Sequence, residues 1–183
     1  MDKKVTIFPE VFLIKPMRYH DQRGYFQESY QEENFHALGI THHWVQDNLV
    51  SSKHAVLRGL HAQKRHPQAK LVQVLQGEIY DVVVDIRLDS PTLGQYFSVY
   101  LDAEQGWQLY IPEGFAHGYL VVSETALVMY KTNRYYDPSS EVCLAWNDRD
   151  LNISWPLDSL KTAPVLSQKD QSAITYQTLL NTY

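Results

Sequence analysis

Lys70-Leu71-Val72-Gln73-Val74-Leu75-Gln76-Gly77-Glu78-Ile79-Tyr80-Asp81-Val82-Val83-Val84-Asp85-Ile86-Arg87 is the stretch from which the fold can be read. Two runs rich in Val and Ile flank the turn signal Gln76-Gly77-Glu78, so the pattern predicts strands over 70–75 and 79–87 joined as a hairpin. In the second run Val82, Val84 and Ile86 share one face, and Asp81, Val83 and Asp85 share the other. Two carboxylates on that second face suggest a polar or cavity-facing side. Outward from this pair the same rhythm continues. Residues 5–17 read as strand broken at Pro9, Asp21-Gln22-Arg23-Gly24 as a turn, and 25–30 as an alternating run. After the turn Ser90-Pro91-Thr92-Leu93-Gly94, strands are predicted over 96–101, 107–111, 118–122 and 126–131. Helix is expected over 31–38, stopped by Gly39, and over 167–180, capped by Ser167. Short strands at this spacing predict a mainly β fold, a sandwich or barrel with a few short helices.

Composition narrows the classes. A chain of 183 residues with 44% hydrophobic and 20% charged residues suits one folded domain and excludes general disorder. A net charge of -5 without a basic stripe argues against a nucleic-acid partner. The 13 Tyr, against 6 Phe and 4 Trp, favour β structure and amphipathic surfaces such as a wet cavity or a subunit contact. Cys143 is the single cysteine, which rules out an internal disulfide and a thiolate-rich zinc site; it reads as a small buried residue. No apolar stretch is long enough to span a bilayer and no signal-peptide pattern opens the chain, so no membrane partner and a cytoplasmic location are expected.

Several side chains carry two readings each. In the run Arg58-Gly59-Leu60-His61-Ala62-Gln63, strand alternation puts Gly59, His61 and Gln63 on one side and Arg58, Leu60 and Ala62 on the other. His61 is then a satisfied core histidine or a base beside a small residue that leaves room for a ligand. Lys70 is a solvated strand end or an ammonium near developing negative charge. Tyr130 is a core tyrosine with a polar tip or a phenolic acid. Asp170 completes a capping pattern with Ser167, or aims its carboxylate at a histidine. The run from Ile111 to Gly114 resembles a jelly-roll corner, and Pro112-Glu113-Gly114-Phe115-Ala116-His117 has the spacing of the second cupin motif. The earlier motif position reads His61-Ala62-Gln63, one imidazole short of a metal-binding His-x-His pair, which argues against a metal. On that reading His117 is a structural histidine bonding backbone.

Taken in order, the motifs converge. They are Asp21-x-Arg23-Gly24-x-Phe26-x-Glu28, Gln46-Asp47-Asn48, Leu57-Arg58-Gly59-Leu60-His61-x-Gln63, Lys70-Leu71-Val72, Gly77-Glu78, Asp81-Val82-x-Val84-Asp85-x-Arg87 and Ser90-Pro91-Thr92-x-Gly94. Ile111-Pro112-x-Gly114-Phe115-Ala116-His117-Gly118, Trp146-Asn147-Asp148 and Leu166-Ser167-x-Lys169-Asp170 complete the series. From about Asp21 to Asp170 the chain resembles the dTDP-4-dehydrorhamnose 3,5-epimerase family, enzymes of the cupin-type jelly-roll fold. The resemblance implies one cupin-like domain over 1–183, with an N-terminal arm in a dimer contact and a C-terminal helix packed on the barrel. The implied reaction is epimerisation at C3 and C5 of dTDP-4-dehydro-6-deoxy-D-glucose, giving dTDP-4-dehydro-L-rhamnose, a step in dTDP-L-rhamnose biosynthesis. No cofactor and no metal are implied.

By the same resemblance His61 is the base, Asp170 its partner, Tyr130 the acid and Lys70 the cation beside the C4 oxygen. Arg23 and Arg58 match diphosphate contacts. Gln46, Asn48 and Lys169 match further substrate contacts, and Tyr136 matches an aromatic near the base. Phe26 and Glu28 match a segment that reaches into the partner subunit's site, which implies a homodimer with sites built from both subunits. His117 matches a supporting histidine. Two departures from the common pattern are Ala62, where an aromatic is frequent, and the basic run Lys64-Arg65-His66. Alternatives are a C3-only epimerase of a related 4-keto sugar nucleotide, a metal-dependent cupin, or a non-catalytic sugar-binding cupin.

Overall fold

The computed structural model describes residues 1–182. Its strands are β1 (Asp2–Val5), β2 (Phe12–Lys15), β3 (Arg18–Asp21), β4 (Gly24–Gln27), β5 (Gln46–Lys53), β6 (Leu57–Gln63) and β7 (Lys70–Gln76). They continue with β8 (Glu78–Asp85), β9 (Tyr96–Asp102), β10 (Gln108–Ile111), β11 (Phe115–Val121), β12 (Thr125–Thr132) and β13 (Glu141–Cys143). The helices are α1 (Glu32–Ala37), α2 (Gln168–Gln171) and α3 (Tyr176–Asn181). One sheet has six strands in the order β1-β2-β10-β7-β12-β5, and the facing sheet has five in the order β13-β6-β11-β8-β9. Strand neighbours in both sheets run antiparallel.

The core is layered. Between the sheets, Leu13, Val72, Val74, Leu109 and Val128 meet Ile79, Val83, Leu101, Phe115 and Val121. The outer face of the five-stranded sheet, through Leu57, Val82, Val84 and Leu120, is covered by Leu144, Leu151, Trp155, Tyr176 and Leu179. The outer face of the six-stranded sheet, through Phe12, Ile14, Leu71 and Tyr110, is covered by Phe35 and Ile40. β8 is packed on both faces, and its three consecutive valines supply apolar side chains to both layers.

Two expectations are corrected. The strands flanking Gly77 do not pair with each other: β7 pairs with β10 and β12, whereas β8 pairs with β9 and β11. Gly77, at φ +76°, turns the chain from one sheet into the other. A turn signal reports a reversal of direction and does not say which strand supplies the hydrogen bonds. The single helix expected over 167–180 is two short ones. Between them Ile174 N donates to Cys143 O at 2.9 Å and Ala145 N donates to Ile174 O at 2.8 Å, so an extended bridge replaces a helical turn.

The short strands β3 and β4 pair only with each other, as a two-stranded ribbon. Tyr19, Tyr25 and Phe26 on it are all more than half exposed.

Candidate active site

Strand alternation alone would put Arg58 and His61 on opposite faces of β6; the structure brings both to one side. The pairing of β6 with β11 runs His61↔His117 and then Arg58↔Tyr119, so three residues of β6 span two of β11. Such a bulge re-aims one side chain without breaking the ladder. It also needs the two backbones close: a Cβ on Gly59 (φ +111°) would sit 2.6 Å from Gly118 Cα and 2.7 Å from His117 O. The Gly59–Gly118 contact therefore sets the spacing of the two histidines.

The bulge opens into a hollow of about 260 Å³ between the sheets. Arg58, His61 and His117 reach it from the five-stranded sheet, and Lys70 and Tyr130 from the six-stranded one; Tyr136 and Lys169 close the rim. Thus seven of the residues singled out in the sequence line one cavity. Gln46 and Asn48 sit on β5 at the same register rows as Lys70 and Tyr130, through Thr132↔Gln46 and Tyr130↔Asn48. Gln46 Nε2 donates to Asn48 Oδ1 at 2.8 Å, and Gln46 Oε1 accepts from Tyr136 N at 3.2 Å.

Asp170 stands behind His61, only 4% exposed. Its Oδ1 is 2.6 Å from His61 Nε2, and Ser167 Oγ donates to Oδ2 at 2.7 Å. Ser167 also caps α2, accepting from Asp170 N at 3.1 Å. Both readings of Asp170 therefore hold together, because the cap fixes the backbone that aims the carboxylate. Burial opposes its charge, but the hydrogen bonds from His61, Ser167 and Cys143 more than offset that and hold the carboxyl far below the usual range. Cys143 is half-buried and donates from Sγ to Asp170 Oδ1 at 3.4 Å; burial, reinforced by that carboxylate, pushes the thiol up to about 12.

Lys70 loses its solvated reading. Burial dominates and lowers it from 10.5 to about 8; Asp81 and Glu141 pull the other way, and Lys169 adds to the depression. Tyr130 is raised by burial, moderated by Arg58 and Lys169, so it remains a proton donor at neutral pH. His117 is buried and bonds the Asp81 carboxylate, at 2.9 and 3.0 Å, in place of the backbone expected from its motif. The cavity-facing reading of Asp81 is thereby explained, whereas Asp85 at the strand end is bound by Arg87, Ser90 and Thr92.

Gln63 cannot replace the missing imidazole, since its amide donates to His66 O at 2.6 Å and accepts from Asp137 N at 2.8 Å. Among the described residues, the His/Cys/carboxylate group with ligand atoms mutually within 4.8 Å is His61, Cys143 and Asp170. Both carboxylate oxygens there are already engaged by protein donors.

The structure does not bring Arg23, Phe26 and Glu28 to this hollow. Arg23 has an 85% exposed side chain paired with Asp21 at 2.5 Å. Phe26 is 68% exposed on the ribbon, and Glu28 accepts from Asn34 Nδ2 at 3.0 Å. Sequence reasoning missed Glu141 and Tyr119. Glu141 accepts from Lys169 Nζ at 2.7 Å and Tyr136 OH at 3.0 Å, and it lies on a three-residue strand with no pattern to betray it. Tyr119 shares the inward face of β11 with His117; reading that strand from Gly118 cut the histidine off from it.

A jelly roll that sets a carboxylate-held imidazole on one sheet against a phenol and an ammonium on the other defines an isomerase of the cupin type. The family model described as dTDP-4-dehydrorhamnose 3,5-epimerase matches residues 5–178. The dTDP-4-dehydrorhamnose 3,5-epimerase of Salmonella typhimurium is 48% identical over 170 residues, 92% of this chain and 91% of that one. The Legionella pneumophila dTDP-6-deoxy-D-glucose-3,5-epimerase, solved in complex with dTDP-4-keto-L-rhamnose, superposes with a TM-score of 0.92 at 45% identity, covering 98% of this chain and 94% of that one. A 3'-monoepimerase from Streptomyces bikiniensis, in complex with dTDP-quinovose, gives a TM-score of 0.86 at 31% identity, covering 94% and 87%. The chain belongs to the dTDP-4-dehydrorhamnose 3,5-epimerase family.

Proposed function

We propose that this chain inverts C3 and C5 of dTDP-4-dehydro-6-deoxy-D-glucose through enolates, yielding dTDP-4-dehydro-L-rhamnose for dTDP-L-rhamnose biosynthesis. The observation that carries the reading is the meeting of the His61–Asp170 pair with Tyr130 and Lys70 in one hollow. A C4 ketone acidifies the protons on its neighbouring carbons. With His61 Nε2–H donating to Asp170, the imidazole lone pair lies on Nδ1 and accepts the proton, and the carboxylate stabilises the cation formed. Lys70 in its ammonium form stabilises the oxyanion on O4. Tyr130, on the opposite sheet, returns a proton to the other face of the ring and is recharged from solvent. No step calls for a redox group, because the ketone supplies the acidity.

Arg58 and Lys169 hold the diphosphate, with Lys169 placed by Glu141. Tyr136 packs on the base, Gln46 and Asn48 bond polar edges of the nucleotide or sugar, and the His117–Asp81 pair supports the wall beside His61. Arg23, Phe26 and Glu28 act in the site of a second copy. A two-stranded ribbon exposing aromatic side chains is marginal alone, which supports a homodimer in which each ribbon completes its partner's hollow. No described helix is long and apolar enough to cross a membrane; a sugar-nucleotide substrate supports a cytoplasmic location.

The likeness to a 3'-monoepimerase favours a second reading, inversion at C3 alone. Incubation with the 4-keto sugar nucleotide in heavy water, followed by NMR, separates the two. Deuterium at both C3 and C5 is expected; label at C3 alone establishes the second reading, and no label sinks both.

A further inference from the structure

We infer that Tyr119 is a substrate-positioning residue whose hydroxyl donates a hydrogen bond to a neutral oxygen of the bound hexose; this rests on the epimerase reading above. Tyr119 lines the hollow from β11, and its ring packs into the core between the sheets. It is 4% exposed, and its hydroxyl has no hydrogen-bond partner. Ser52 lies beside it and pulls the phenol slightly down, yet Ser52 Oγ accepts from Arg58 Nε at 3.1 Å and leaves the Tyr119 hydroxyl without a partner.

A buried hydroxyl without a partner is destabilising, and phenylalanine would fill the same space without that cost. Among the described residues the other side chains with such orphaned atoms are Gln27, Trp44 and Gln108, none of which lines this hollow. Tyr119 is thus the one of these four residues that lines the space the substrate enters. Burial pushes the phenol up to about 12, so it stays an O–H donor at working pH. The neighbouring cations Arg58, Lys70 and Lys169 suit phosphate and oxyanion. A neutral phenol suits an uncharged sugar hydroxyl or ring oxygen.

The test is Tyr119→Phe, which deletes one oxygen and keeps the ring. The ligand-free variant should melt at the wild-type temperature or above. KM for the 4-keto sugar nucleotide should rise about three- to tenfold, the size of one lost hydrogen bond. Affinity for dTDP, which lacks the hexose, should not change. A drop of several degrees in the ligand-free melt would reveal an internal partner for the hydroxyl and overturn the inference. So would an unchanged KM, or an equal loss of dTDP and sugar-nucleotide binding, which would move the contact to phosphate. Wild-type protein that fails to turn over in the same assay refutes the epimerase reading itself, and this inference with it.

Discussion

Asp170→Asn is the sharpest perturbation of the proposed base. The substitution keeps shape and removes charge at a group 4% exposed, 2.6 Å from His61 Nε2. What is lost is a charge-assisted hydrogen bond whose strength grows as the imidazole takes its proton. Such bonds contribute about 1.5–3 kcal/mol. At about 1.36 kcal/mol per decade of rate, that range slows proton removal about 10- to 160-fold. The assay is the initial rate of deuterium entry at C3 and C5 under saturating substrate, with KM measured alongside. The loss should fall on kcat at both carbons equally, because one base serves both. A thermal melt guards against trivial unfolding, since Asn can still bond Ser167 and preserve the cap. A loss under twofold in a folded variant would refute the claim that the carboxylate orients and stabilises the base. A loss at one carbon only would refute the single-base scheme.

Three further outcomes follow from the geometry. Lys70, lowered to about 8 by burial, is an ammonium below that pH, so kcat/KM should fall as pH rises through about 8. Its buried charge costs stability below about 8, and that cost fades as pH climbs towards the unfolded value of 10.5. Lys70→Arg should move the alkaline limb upward, whereas a wild-type profile flat to pH 9.5 would remove Lys70 from the oxyanion role. Tyr130→Phe should slow net inversion by about 10²-fold or more while deuterium still enters, since His61 remains; equal loss of both would contradict separate base and acid. Gly59→Ala forces a Cβ against Gly118 and His117 at positive φ, and should cost at least about 1–3 kcal/mol, read as a lowered melting temperature; an unchanged melt would show that the bulge tolerates a side chain.

The sheet strands were mostly legible in the local sequence. Alternation located the runs that became β7, β8, β9, β10 and β12, and Gln31 and Gly39 bracketed α1 as expected. Their pairing was not legible, because both faces of β7 and β8 carry apolar residues and the valines do not say which sheet each joins. The last helix was overestimated because its propensity is local, whereas the bridge of Ile174 to Leu144, just beyond β13, is a tertiary contact.

The sequence by itself determined the chemistry available: an imidazole, a phenol, an ammonium and a carboxylate, set in motifs that identify a family. It also determined that the carboxylate would open a capped helix, since Ser167 and Asp170 are neighbours along the chain. Only the tertiary structure decided that His61 and Asp170, 109 residues apart, would share a hydrogen bond. It alone put Arg58 on the same side as His61, through a bulge that strict alternation denies. It alone lowered Lys70, whose strand-end position reads as solvated until the facing sheet encloses it. The physical reason is common to all three. Side-chain identity and short-range periodicity are properties of the local chain, but desolvation and long-range hydrogen bonding exist only once distant segments have packed together.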